Sequence, residues 1–378
     1  MGAPLMAAKK EPVDLDLAPN DPKLRTILKG HAEAEANFLD SWNSGRLHHA
    51  WLITGPKGIG KATMAYRIAR FILSGGGAGG GLFGDAPENL DLGPEQENLI
   101  HRMASGGHSD FLVLEKGMVN PKNNRVAEND IPVDIARTAA GFVRLTPAES
   151  DWRVVIVDAA DDLNRNAANA LLKVLEEPPA RAVFLLVSHA PGRLLPTIRS
   201  RCRRLELKPL QADNLNNLLL ERHPELEPAE AEALARLSEG SVGKAMMLAE
   251  QGGLDLFRIL MSLFSRPKDL PLAKIHALGD QLGRKDAKTA YQVFRDMLQW
   301  WLNRLIRSAA TGQMPPMVVA EEEQVLAACM QTGSVARWME IKDSLASLLA
   351  KTEAPANLDR KQVIVSAFLT LETMLQQR

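Results

Sequence analysis

Residues 152–190, WRVVIVDAADDLNRNAANALLKVLEEPPARAVFLLVSHA, restrict the fold more than any other stretch. VVIV is a short β-branched run, the pattern of a parallel strand covered on both faces. Leu163, Ala167, Leu171, Val174 and Leu175 then recur at helical spacing. Pro178 and Pro179 end that helix, because proline cannot continue the hydrogen-bond ladder. VFLLVS is the next buried strand. Strand, helix and strand in tight succession imply a doubly wound α/β fold with a parallel sheet.

The same alternation extends upstream. HAEAEANFLDSWNSGRL reads as a helix with Phe38, Leu39 and Trp42 on one side. HAWLIT reads as a strand, followed by GPKGIGK and then by ATMAYRIARFIL as a helix. HSDFLVLE reads as a further strand, VNPKNNRVAENDI as turns, and IPVDIARTAAGFVRL as an amphipathic helix with Pro132 near its first turn. Past Pro209 no strong strand signal remains. Short helices are expected over 211–250 and longer ones over 255–378. In one of these, FRDMLQWWLNRLIR aligns Phe294, Met297, Trp301 and Leu305 on one stripe, read as internal core. LDRKQVIVSAFLTLETML forms the last amphipathic helix. Seven of the ten residues Gly75–Gly84 are glycine, too many for helix or strand. The expected organisation is a flexible arm at 1–28, a phosphate-loop domain at 29–210 with a mobile Gly-rich insertion at 74–110, a helical lid at 211–252 and a helical collar at 253–378.

Composition removes several function classes. The chain has 378 residues, with 45 Lys plus Arg against 46 Asp plus Glu, which argues against a whole surface that grips nucleic acid and leaves a local basic patch open. Two tyrosines and 5% aromatics argue against single-strand binding on stacked rings. Two cysteines cannot build a disulfide framework or a four-cysteine zinc site, and they fit a cytoplasmic location. No apolar run approaches the roughly 20 residues of a membrane helix, and the N-terminus lacks the order of a secretion signal, so no membrane role is expected.

The chemistry lies in two motifs. Gly55, Pro56, Lys57, Gly58, Ile59, Gly60 and Lys61 form a phosphate-loop pattern between a strand and a helix. Glycines there let backbone amides turn toward phosphate oxygens, the helix end favours an anion, and Lys61 can reach the terminal phosphates. The pattern calls for a hydroxyl after the lysine to ligate magnesium, and Ala62 stands there. Thr63 is one step on, rotated by about 100° and directed away from the metal. In the second motif, VVIVDAAD, Asp158 ends a strand where open α/β sheets keep their sites. The next position in hydrolysing proteins is Glu, which orients the attacking water, and here it is Ala159. Asp161 and Asp162 are read as helix N-terminal carboxylates favoured by the dipole. Together the two alanines imply a chain that does not turn over ATP by itself.

NALLKVLEEPP, SRCRRLEL, GRLHHAWLITG and the two altered phosphate motifs resemble the clamp-loader branch of the AAA+ ATPases, the class found in bacterial DNA polymerase III. The resemblance runs from about residue 30 to 210 and continues weakly through the helical remainder. It implies a non-motor, stator-like subunit of the polymerase holoenzyme, without independent catalysis, that supports loading of a sliding clamp onto primed DNA. Its implied partners are delta and gamma/tau type subunits and, indirectly, the clamp and primer-template DNA. In this family the arginine of the Ser-Arg-Cys triplet reaches the nucleotide of a neighbouring subunit, a role that falls on Arg201. The family's pattern also assigns Ser188 and Lys244 to sensing the terminal phosphate, although lysine lacks the bidentate fork of arginine. ATP or ADP is expected to bind weakly at most. The four-cysteine zinc module of many relatives has no counterpart in the glycine-rich insertion, so no zinc is expected. An active motor ATPase and a small-molecule phosphate-loop kinase are the alternatives. The helical third of the chain fits the kinase poorly.

Overall fold

A computed structural model describes residues 21–77, 86–352 and 356–377. It divides into two compact units, Met1–Pro209 and Leu210–Arg378.

The first unit is built on five parallel strands. They are β1 (Ala50–Thr54), β2 (Phe111–Glu115), β3 (Arg153–Asp158), β4 (Ala182–Ser188) and β5 (Arg203–Glu206), in the order β2-β3-β4-β1-β5. Every residue of β1 and β4 is buried, as the unbroken apolar runs require of central strands. Each large apolar side chain covered this way contributes about 1.5–3 kcal/mol. β5 carried no strand signal. Only Leu205 of its four residues is buried, and three charged side chains at an exposed edge hide the pattern.

Helices cover both faces: α1 (Ala32–Asn43), α2 (Lys61–Leu73), α3 (Glu97–Ala104), α4 (Val133–Phe142), α5 (Arg165–Glu176) and α6 (Pro196–Arg199). One apolar layer joins α1 and α2 to one side of the sheet, and the other joins α4 and α5 to the opposite side. α5 starts after Leu163, with Asn164 as its N-cap accepting from the Ala167 N–H at 2.9 Å. It stops at Glu176, just before the proline pair.

Two buried arginines of α2 fix the segments around it. Arg70, 1% exposed, donates through Nη1 to the Arg25 carbonyl (2.6 Å) and through Nη2 to that of Lys23. Arg67 donates to Glu35 (3.0 Å), Asp91 (3.0 Å) and the Thr26 carbonyl. The arm expected at 1–28 is therefore docked over residues 21–28, while residues 1–20 lie outside the described residues. The expectation of a mobile insertion at 74–110 also needs correction. Residues 78–85 lie outside the described residues, but Leu90 and Met103 join the core and Asp91 pairs with Arg67. Apolar anchors spaced through the acidic continuation do the work a metal staple would otherwise do.

The second unit is all helical: α7 (Ala212–Arg222), α8 (Pro228–Ser238), α9 (Val242–Glu250), α10 (Gly253–Phe264), α11 (Leu272–Leu282), α12 (Lys288–Thr311), α13 (Glu322–Thr332), α14 (Val335–Ala350) and α15 (Arg360–Gln376). One continuous apolar cluster runs from Leu210 to Leu375, so the ranges 211–252 and 253–378 share a core. Phe294, Met297, Trp301 and Leu305 of α12 lie inside that cluster.

Candidate functional site

The phosphate loop leaves β1 at the point where the strand order reverses, with β4 on one side and β5 on the other. Such a switch point opens a crevice at the C-terminal strand ends. Gly55, Gly58 and Gly60 all take positive φ (142°, 78° and 100°). Gly60 has a second constraint, since a Cβ on it would lie 2.5 Å from Leu28 Cδ1 of the docked arm. His31 Nε2 makes a hydrogen bond with the Ile59 carbonyl at 2.8 Å, so the residues entering α1 brace the loop from outside.

Lys61 opens α2 and is 3% exposed. Its ammonium donates to the Pro56 carbonyl of its own loop. Burial lowers its pKa to about 8, against the opposing pull of Asp158 and Asp161. Ala62 is half-buried and adds no oxygen, and Thr63 is buried. Pro56, Lys57 and Ile59 complete the loop, and Ile59 is fully buried under it.

Asp158 ends β3 opposite Glu115 of β2. Burial, reinforced by Glu115, raises its pKa to about 6, while Lys61 and Lys23 oppose the rise. Ala159 follows, 4% exposed, with no group to orient a water. The reading of Asp161 and Asp162 as helix N-terminal carboxylates does not describe their work. They sit in a single 3-10 turn (Ala160–Asp162), ahead of the Asn164 cap of α5. Asp161 accepts from Ser188 Oγ (2.9 Å), the His189 N–H (2.6 Å) and the Ala190 N–H (3.0 Å), and so ties the end of β4 to the end of β3. Asp162 pairs with Lys116 at 3.1 Å. Ser188 is fully buried with its hydroxyl engaged on Asp161.

Sequence reasoning missed Glu115, Leu28 and the tie made by Asp161. Only a correct strand register places Glu115 beside Asp158, and no local pattern marks that register. Lys244, named alongside these residues, belongs to α9 of the second unit. There its ammonium lies 5.6 Å from the Trp300 ring centroid, and burial lowers its pKa. Among the described residues no three His, Cys, Asp or Glu side chains converge as a metal-binding set, and no helix is long and apolar enough to cross a membrane.

Arg201 stands apart from the loop, between α6 and the start of β5, at the edge of the sheet opposite the C-terminal strand ends that carry the loop. Its Nη2 lies 2.7 Å from Glu176 Oε1 at the end of α5, and the side chain is 33% exposed. Nη1 donates to the Thr197 carbonyl at 2.9 Å and approaches Ser200 Oγ at 3.5 Å. Its arginine neighbours have different surroundings. Arg203 lies over the Trp51 ring (4.9 Å) and donates to Asn37 (2.9 Å), whereas Arg204 donates to Thr54 Oγ1 (3.2 Å) and pairs with Glu206. Burial pushes the Cys202 thiol up to about 12, so it behaves as a packing residue.

Residues 30–211 match the family model described as DNA polymerase III, delta subunit. The chain is 40% identical over 205 residues to DNA polymerase III subunit delta' of Pseudomonas aeruginosa, covering 54% of this chain and 56% of that one. A delta' subunit of Yersinia pestis is 27% identical over 343 residues, covering 88% and 92%. DNA polymerase III subunit tau of Escherichia coli is 32% identical over 211 residues, covering 55% of this chain and 29% of the relative. The aligned part thus spans about half the length, or less, of the P. aeruginosa and E. coli relatives. A gamma subunit-related structure from Thermotoga maritima aligns over 92% of this chain with a TM-score of 0.41 and 18% identity.

Proposed function

We propose that this chain, which matches the DNA polymerase III delta subunit model over residues 30–211 and is 40% identical over 205 residues to a delta' subunit, is a non-motor subunit of a clamp loader. It holds a ring of delta and gamma/tau type subunits together and presents Arg201 to the nucleotide of a neighbouring ATPase. The ATP cycle of that neighbour opens the sliding clamp and sets it on primer-template DNA. The chain itself performs no turnover.

The observation that carries this reading is the pair of alanines at 62 and 159, at the two places where hydrolysis needs an oxygen ligand for magnesium and a carboxylate for water. Loss of acid–base assistance alone is worth about 10²–10⁴ in rate. The cradle of Gly55–Lys61 would hold ATP or ADP only weakly, since Lys61 must first leave the Pro56 carbonyl. Such a nucleotide would stabilise the subunit without being cut. Arg201 suits the opposite task. A planar, permanently charged guanidinium stabilises developing phosphate charge, and supplied from a neighbour it can be worth about 10³–10⁵ in rate.

Reconstitution with delta and gamma/tau subunits tests the reading. Steady-state ATPase should be absent from the lone chain, present in the complex, and lowered about tenfold or more by Arg201→Ala with assembly intact. Turnover by the lone chain that Lys61→Ala abolishes, or a complex indifferent to Arg201, would overturn it.

A further inference from the structure

Glu176 occupies a position that is electrostatically unfavourable by itself. It is the last residue of α5, and a carboxylate there meets the negative end of the helix dipole. Arg201 is its partner at 2.7 Å. The pairing is selective, because Arg193 and Arg199 on the same stretch make no ion pair among the described residues. Both ends of the contact are fixed. α5 is held by Leu171, Val174 and Leu175 in the core, and Ile198 buries α6 beneath the arginine. The guanidinium therefore lies between the C-terminal ends of two helices, with Glu176 on Nη2 and the Thr197 carbonyl on Nη1. Its Nε–H has no partner among the described residues, and a third of the side chain remains exposed.

We propose that Glu176 is a positioning residue that fixes the Arg201 guanidinium plane and leaves the Nε edge to meet the terminal phosphate of a nucleoside triphosphate held by a neighbouring subunit. This rests on the finger role of Arg201. An arginine on a free stem samples many rotamers, and ordering it at the moment of reaction costs rate. A carboxylate on a rigid helix meets that cost during folding. Because Glu176 does not touch the phosphate, its loss should reduce kcat and leave ATP binding to the neighbour unchanged.

The test uses the reconstituted complex with Glu176→Gln, Glu176→Asp, Arg201→Ala and the Glu176→Gln/Arg201→Ala double variant, with assembly followed by size exclusion. Glu176→Gln should lower ATPase kcat about three- to tenfold with KM for ATP within about twofold. Glu176→Asp should recover part of the loss. In the Arg201→Ala background, Glu176→Gln should have no further effect. An unchanged kcat, an equal loss in both backgrounds, or a complex that no longer assembles would overturn the role of Glu176. Those results leave the finger reading standing as long as Arg201→Ala still lowers turnover. If Arg201→Ala has no effect, both fall.

Discussion

The arginines of α2 and the arginine after α6 use one side chain for two opposite purposes. Arg67 and Arg70 are nearly sealed from solvent, and their Nη groups donate to carbonyls and carboxylates of their own chain, with Arg70 Nε left buried and unpartnered. Arg201 is one-third exposed, held by two nitrogens, with its Nε–H unpartnered among the described residues. Lys61 belongs with the first group, because it is buried and turned onto the Pro56 carbonyl. The buried cations beside the phosphate loop are thus engaged within the chain, whereas Arg201 keeps a solvent-accessible edge. A buried, engaged donor must give up its bond before it can act on a partner, whereas an exposed edge acts without that cost.

The strongest challenge to that contrast is Arg70→Ala. It strips the Lys23 and Arg25 carbonyls of their donor and should cost about 2–4 kcal/mol in urea unfolding. Hydrogen exchange should quicken across residues 21–28. A cost below that of Arg201→Ala would reverse the assignment of the two sites.

Asp158 tests the corner through pH. Its folded pKa is raised to about 6, so ionisation costs stability as pH rises from about 4 to 6. Asp158→Asn lacks that cost, and its advantage should grow across the same window to as much as about 2 kcal/mol. Parallel melting temperature–pH curves for the two proteins would contradict the buried-carboxylate picture.

Lys61 should show the complementary trend. Its folded pKa is lowered to about 8, so the folded state releases a proton that the unfolded chain keeps until about 10.5. Stability from this group therefore rises as pH climbs through 8 to 10. Lys61→Met should be more stable than the parent by about 1 kcal/mol at pH 7, with the gap closing above pH 9. A constant gap would mean that its bond to Pro56, not burial, dominates.

The smallest effect belongs to Arg201. Arg201→Ala should change the stability of the lone chain by less than about 1 kcal/mol, since a partly exposed ion pair is screened by water. A larger loss would make Arg201 a structural residue like those of α2.

Much of this was readable in the sequence where the signal is local. VVIV and VFLLVS announce β3 and β4, the glycines announce the loop, and the proline pair announces the end of α5. β5 was silent because an edge strand buries one residue in four. At the site, Lys61, Ala62, Asp158 and Ala159 followed from motif spacing alone. Glu115 opposite Asp158, Asp161 under Ser188 and Leu28 over Gly60 arise from pairings across the fold, which no window of neighbouring residues encodes. Arg201 is singled out by the Ser-Arg-Cys triplet of the family resemblance, but its pairing with Glu176 depends on where two helices end.

Arg70 holds residues 23 and 25 by their main-chain oxygens, which every amino acid possesses. The grip of Arg70 on those two residues therefore does not depend on their side chains. A helix more than forty residues downstream thus sets the path of this stretch through its main chain.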